Sequence, residues 1–213
     1  MATGRLITIE GLDGAGKSTL AGALAERLAA EGGPVELLRE PGGVELSERI
    51  RALVKDPSLD VAPRAEALLY AAARAQLVQE RLRPLLQAGA VVLLDRFVDS
   101  SLAYQGAGRD LGEEAVRTVN LFATGGLQAD RTLLLRISPA AGRARQRGRD
   151  QQPDRLEQED EGFFAAVADA YERLARAEPE RIRVIDASQP PRQVLEDALA
   201  ALEGLGLGAS RPG

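Results

Sequence analysis

Short apolar runs recur along the chain, each followed by a segment whose apolar residues fall three and four positions apart. Leu6-Ile7-Thr8-Ile9 is the first run and Val35-Glu36-Leu37-Leu38-Arg39 the second. Ala90 to Leu94, Thr132 to Ile137 and Ile182 to Ile185 complete the set. Runs this short, without strict alternation, predict strands buried on both faces. Leu20, Ala23, Leu24 and Leu28 predict a helix that stops at Gly32-Gly33. A short helix is expected over 44–54. A longer one starts at Pro63, carries Leu68, Leu69, Ala72, Leu82 and Leu86, and closes at Gly89. Pro84 should kink or break it, since proline lacks the N–H and its ring crowds the preceding turn. Residues 113–123 read as helix. Phe163, Phe164, Val167, Tyr171 and Leu174 share one face of a later helix, and Val194, Ala198 and Leu202 one face of the last. Five buried strands separated by helices predict an α/β fold, a five-stranded parallel sheet with helices on both faces.

Composition narrows the class without naming it. The 213 residues are enough for a full core, and one domain over 1–203 with a mobile glycine-rich tail over 204–213 is expected. Cysteine and histidine are both absent, which removes disulfides, thiol and imidazole nucleophiles, and the usual zinc sites. A cytoplasmic location is expected, because nothing in the chain exploits an oxidising compartment. No apolar stretch approaches the roughly 18–20 residues of a membrane span, and the N-terminus lacks a secretory apolar region. A net charge of -5 argues against nucleic acid as a partner. Of 27 basic residues only Lys17 and Lys55 are lysines.

One of those two lysines lies in a glycine-rich loop. Gly11-Leu12-Asp13-Gly14-Ala15-Gly16-Lys17-Ser18, followed by Thr19, matches G-x-x-x-x-G-K-[ST] between a buried strand and an amphipathic helix. Such a loop wraps its N–H groups around an anion, and the helix N-terminus adds its positive dipole end. Lys17 can reach the β- and γ-phosphates of ATP, and Ser18 can ligate Mg²⁺. The loop specifies a nucleoside triphosphate and leaves open what is done with it. A GTPase would carry an Asn-Lys-x-Asp segment, which the chain lacks. A motor ATPase would carry sensor and oligomer-interface elements, which cannot be located.

A small-molecule kinase needs a second anion site and a mobile arginine-bearing lid. Arg39-Glu40-Pro41-Gly42-Gly43 follows the second strand, and Asp95-Arg96 follows the third. Ligands of open α/β sheets sit beyond the carboxyl ends of the strands, where Arg39 and Arg96 can clamp a phosphate monoester. The lid candidate is 147–157, within a stretch that carries Arg143, Arg145, Arg147, Arg149 and Arg155. Arginine is suited to offset the charge of a phosphoryl-transfer transition state.

Glu10-to-Thr19, Arg39-to-Gly43, Tyr70-to-Gln76, Asp95-Arg96, Ser100-to-Gly106, Asp154-to-Glu157 and Ile185-to-Ala187, in that order, resemble the thymidylate kinase family of nucleoside monophosphate kinases. The resemblance implies the P-loop kinase fold, transfer of the γ-phosphoryl of ATP to dTMP with Mg²⁺, and a homodimer. By the same resemblance Asp13 meets the acceptor's 3′-hydroxyl, and Arg39 and Arg96 hold its phosphate. Tyr70 stacks on thymine, where phenylalanine is the more usual residue. Arg74 and Ser101 read the base edge, Glu40, Ser100 and Gln105 complete the acceptor site, and Tyr104 lies beneath the deoxyribose. Arg143 belongs to the ATP side, while Ser18, Asp95 and Glu157 are the metal candidates. Gly14 occupies the position where some members carry a loop arginine, so the transition-state arginine must come from the lid. Arg149 and Arg155 both remain open for that role. Another nucleoside monophosphate kinase or a deoxynucleoside kinase of the same fold is the alternative, and an inert nucleotide-binding regulator a more distant one.

Overall fold

The computed structural model describes residues 4–148 and 153–207. Five parallel strands, β1 Arg5–Gly11, β2 Val35–Arg39, β3 Val91–Asp95, β4 Arg131–Arg136 and β5 Ile182–Asp186, lie in the order β2-β3-β1-β4-β5. The first strand is therefore central, and each apolar run of the sequence lies within or beside one strand. β1, β3 and β4 are buried along nearly their whole length, which is why they read as continuous apolar runs. β2 and β5 form the edges, and their Leu37 and Val184 remain 44% and 38% exposed.

Helices α1 Lys17–Ala29, α2 Glu45–Lys55, α3 Pro63–Leu77, α4 Arg83–Gln87, α5 Val98–Ser101, α6 Glu113–Thr124, α7 Pro139–Arg147, α8 Glu161–Ala177 and α9 Pro191–Ala201 connect and cover the strands. Leu20, Leu24 and Leu28 of α1 join Ile7 and Ile9 in the larger core cluster, while Leu6 packs with Leu77, Leu82 and Leu94 in a second. Each such buried leucine or isoleucine contributes about 1.5–3 kcal/mol relative to an exposed one.

Two stretches depart from the periodicity. Pro84 does not end the long helix, because Val78–Leu82 widens into π-type turns and α3 passes through them into α4. The widened turn relieves the clash of the ring with the preceding carbonyl and absorbs the missing N–H. After β3, α5 runs into further widened turns over Leu102–Gly108. This segment has too many small residues to show a helical stripe, yet it carries several of the predicted site residues.

The expected tail differs in its first part. Arg5 Nε donates to the Leu205 carbonyl at 3.0 Å, and Leu205 and Leu207 pack against the main core. Apolar contact therefore holds 204–207, and 208–213 lie outside the described residues. No helix among the described residues is long and apolar enough to cross a membrane.

Candidate active site

The strand register assembles the site. Arg39 pairs with Asp95 across β2 and β3, and Asp95 pairs with Ile9 across β3 and β1, so all three strand ends open on one cavity of about 460 Å³. The phosphate loop borders it through Asp13, Gly14, Gly16, Lys17, Ser18 and Thr19. Leu12 and Ala15 turn inward and anchor the loop in the core.

Gly16 precedes α1 in a left-handed conformation, and no side chain caps the helix or places an acid in its first turn. The first N–H groups and the dipole end are thus left for an anion. Lys17 is buried and donates to the carbonyls of Gly11 and Leu12 at 3.2 and 2.9 Å, with Asp13 at 3.6 Å. Burial, then the nearby Arg96 charge, push its amine down to about 8. Ser18 Oγ donates to Asp95 Oδ2 at 2.9 Å.

Gly14 meets α7. A Cβ there would lie 2.2 Å from the Gly142 carbonyl oxygen of α7, at φ +80°. No side chain fits without displacing α7, which gives a physical reason why this loop carries no arginine.

Arg96 is a hub of the cavity lining. It is a non-glycine residue at φ +73°, a conformation that costs about 1–3 kcal/mol and persists only where surroundings impose it. Its Nη2 donates to Asp13 Oδ1 at 2.6 Å and the Tyr104 hydroxyl at 3.3 Å, and Nη1 to the Gly11 carbonyl and Ser100 Oγ. The guanidinium lies 4.9 Å from the centre of the Tyr104 ring, and the Tyr104 hydroxyl donates to Asp13 Oδ2 at 3.2 Å. Burial alone would raise the Asp13 carboxyl, but Arg96 and Lys17 hold it well below the usual carboxylate range.

Arg39 also borders the cavity, exposed and paired with Glu48 at 3.1 Å. Tyr70, Ser100, Ser101, Tyr104 and Gln105 line it as well. Arg74 is 1% exposed and engaged at all three nitrogens, by Glu40, Ser101, Asn120 and the Phe97 carbonyl. Arg74 also borders the cavity, and its Nη1 donates to Ser101 Oγ at 2.9 Å. Glu40 accepts from Arg74 through Oε2, whereas its buried Oε1 has no hydrogen-bond partner among the described residues. Burial raises this carboxyl against the opposing Arg74 charge.

The lid residues separate. Arg155 does not border the cavity, since its guanidinium donates to the Val54 carbonyl and to Glu66, a fully buried carboxylate that Arg109 and Gln105 also contact. Arg143 pairs with Glu161 and is likewise absent from the lining. Both were expected at the nucleotide, and both are instead bound to acids of neighbouring helices. Arg149 lies outside the described residues. Glu157 borders the cavity while accepting from Gln146 Nε2 and the Asp154 N–H, each at 3.0 Å.

Several site groups were not legible as such. Lys55 borders the cavity and pairs with Asp154 at 2.6 Å, and its rarity in an arginine-rich chain was the available signal. Glu10, a charge at the end of an apolar run, sits wholly buried behind Arg96. Asn120 and Tyr171 carried no local signal.

A triphosphate loop facing an arginine-rich second anion site across one cavity defines a P-loop phosphotransferase. A family model described as Thymidylate kinase matches residues 9–198. Thymidylate kinase of Deinococcus radiodurans is 48% identical over 208 residues, covering 97% of this chain and 100% of that protein. Its counterpart from Latilactobacillus sakei is 49% identical over 204 residues, covering 93% and 94%. The crystal structure of thymidylate kinase from Ehrlichia chaffeensis superposes with a TM-score of 0.79 at 27% identity, covering 94% of this chain and 99% of that one. This chain belongs to the thymidylate kinase family.

Proposed function

We propose that this chain transfers the γ-phosphoryl group of ATP to dTMP, giving dTDP and ADP. The observation that carries the reading is the shared cavity, in which the phosphate loop, Asp13 included, faces Arg96 and Tyr104. The loop N–H groups, the α1 N-terminus and Lys17 hold the ATP phosphates. Lys17 leaves its two carbonyl partners for phosphate oxygens, and the incoming negative charge favours its protonated form. Arg96, joined by Arg39 once released from Glu48, holds the acceptor phosphate. Asp13 accepts from the 3′-hydroxyl, and the Tyr104 ring leaves no room for a 2′-hydroxyl. Tyr70 offers a stacking face, and Ser101, oriented by Arg74, meets the base edge. The acceptor phosphate is already ionised, so catalysis is alignment and charge compensation, with no general base required.

A divalent cation fits the residues present. Ser18 and Asp95 supply adjacent oxygens beside Lys17, and among the described residues no group of three acids forms a cage. Mg²⁺ is commonly held by one or two such protein oxygens, waters and substrate phosphates. When bound, it would bridge and neutralise phosphate charge. The transition-state arginine is assigned to the lid, with Arg149 the candidate left once Arg155 is engaged by Glu66.

The active form is a homodimer in the cytoplasm. Supporting this, α2, α3 and α6 expose Leu46, Leu53, Leu68, Leu121 and Phe122, the last 91% accessible. Apolar exposure of this kind on adjoining helices favours a partner surface.

Coupled ADP-release assays over a panel of monophosphates test the substrate. Turnover with dTMP should far exceed that with dCMP, dGMP, AMP or deoxythymidine. A comparable rate with any of those overturns the assignment.

A further inference from the structure

We propose that Glu10 is the positioning residue for Arg96: acting through the Ser100 hydroxyl and the Phe97 N–H, it holds the acceptor-clamping arginine in its left-handed conformation and aims it into the cavity. The inference rests on the proposed acceptor role of Arg96.

Glu10 is the next-to-last residue of β1 and is fully buried. Its Oε1 accepts from the Phe97 N–H at 2.7 Å and the Ser100 N–H at 3.3 Å, while Oε2 accepts from the hydroxyls of Ser100 and Tyr171 at 2.5 and 2.9 Å. Each of these groups is a donor, an arrangement suited to an ionised carboxylate. Because the single Ser100 hydroxyl proton goes to Glu10, Ser100 Oγ presents a lone pair to Arg96 Nη1 at 3.1 Å. Charge thus passes from guanidinium to hydroxyl to carboxylate in one direction.

The backbone tells the same story. The Arg96 N–H donates to the Ile9 carbonyl at 3.0 Å, and the next N–H, of Phe97, goes to Glu10. Two successive residues of β1 therefore pin both sides of the one strained residue of the acceptor clamp. Glu10 does not itself line the cavity, and it reaches the lining through Ser100, which in turn accepts from Arg96.

The competing account is a satisfied buried carboxylate that merely stabilises the fold. Glu10→Gln keeps the volume and removes the charge. Losing a charge-assisted partner of Arg96 should raise KM for the accepted monophosphate by about tenfold or more, with KM for ATP changed by less than about twofold. The thermal midpoint should stay close to the parent's. If both KM values move together with a lowered midpoint, or neither moves, the proposal is overturned. Should Glu10→Gln not fold, Ser100→Ala cuts the relay while leaving the carboxylate on Phe97. The same acceptor-specific rise is expected, and an unchanged KM overturns the proposal. In the double variant the two effects should fall short of additive, because both lie on one path. Parent turnover of dTMP tests the functional reading separately, since the variant-to-parent ratio is taken on whichever monophosphate the parent phosphorylates.

Discussion

Individual residues here are defined by the charges that surround them. Asp13 and Glu10 are both carboxylates near Arg96, yet they are driven in opposite directions. Asp13 touches two cations and is held ionised, whereas burial first and the neighbouring Asp99 second push Glu10 up to about 7 from 4.5. The other charged or titratable groups around Glu10 are Arg96, Lys17 and Tyr171. Between about pH 4.5 and 7 the native state retains a proton on Glu10 that the unfolded chain releases. Its contribution to stability therefore declines as pH rises through that window and is constant above it. Urea midpoints at roughly pH 5 and pH 8 should differ less in Glu10→Gln than in the parent. An equal difference in the two proteins would place the titration elsewhere.

At the scale of elements, the root of the lid and the phosphate loop are in direct contact. Gly14 and Gly142 meet through backbone alone, so α7 leaves the loop at a set angle before the chain continues to the lid. Within the lid candidate, Asp154 and Arg155 fasten the chain to α2 and α3 through Lys55, the Val54 carbonyl and Glu66. Arg155→Ala should accordingly lower the thermal midpoint, because it removes a cation from buried Glu66. Loss of a buried ion partner costs about 3–5 kcal/mol, reduced here by the remaining Arg109 contact. Arg149→Ala should lower kcat at least tenfold, on the order of a lost transition-state charge contact. Thermal melts and saturating-substrate rates on the two variants separate these outcomes. A kcat loss confined to Arg155→Ala would reverse the assignment.

The whole molecule raises the question of its exposed apolar helices. Burying Leu68, Leu121 and Phe122 against a second copy would remove the largest apolar surface of α3 and α6. Phe122→Glu should shift sedimentation from dimer to monomer, since an unpaired charge at an apolar interface opposes association. A parent protein that sediments as a monomer would remove the dimer from the account.

Much of this was legible in sequence. The five strands, the phosphate loop, and the strand-end positions of Arg39 and Arg96 follow from local patterns, because apolar runs, glycines and helix spacing act over a few residues. The side-chain roles that failed to emerge all depend on partners distant in the chain. Nothing near Arg155 announces Glu66, 89 positions away, and nothing near Arg74 announces Asn120, 46 away. Periodicity likewise missed the segment from Val98 to Gly108, whose small residues and widened turns carry no regular stripe.

By itself the sequence determined the chemistry on offer: a triphosphate loop with one lysine, a supply of arginines, and no imidazole or thiol. Those properties belong to residue types and short spacings, which folding does not alter. Only the tertiary structure decided which partner each described arginine meets. Burial makes an unpaired charge costly, so the guanidiniums of buried Arg74 and partly buried Arg96 meet the carboxylates of Glu40 and Asp13. Arg155 pairs with Glu66 and Arg143 with Glu161, Arg74 donates to Ser101, and Arg96, pinned by β1 in a strained turn, lines the cavity.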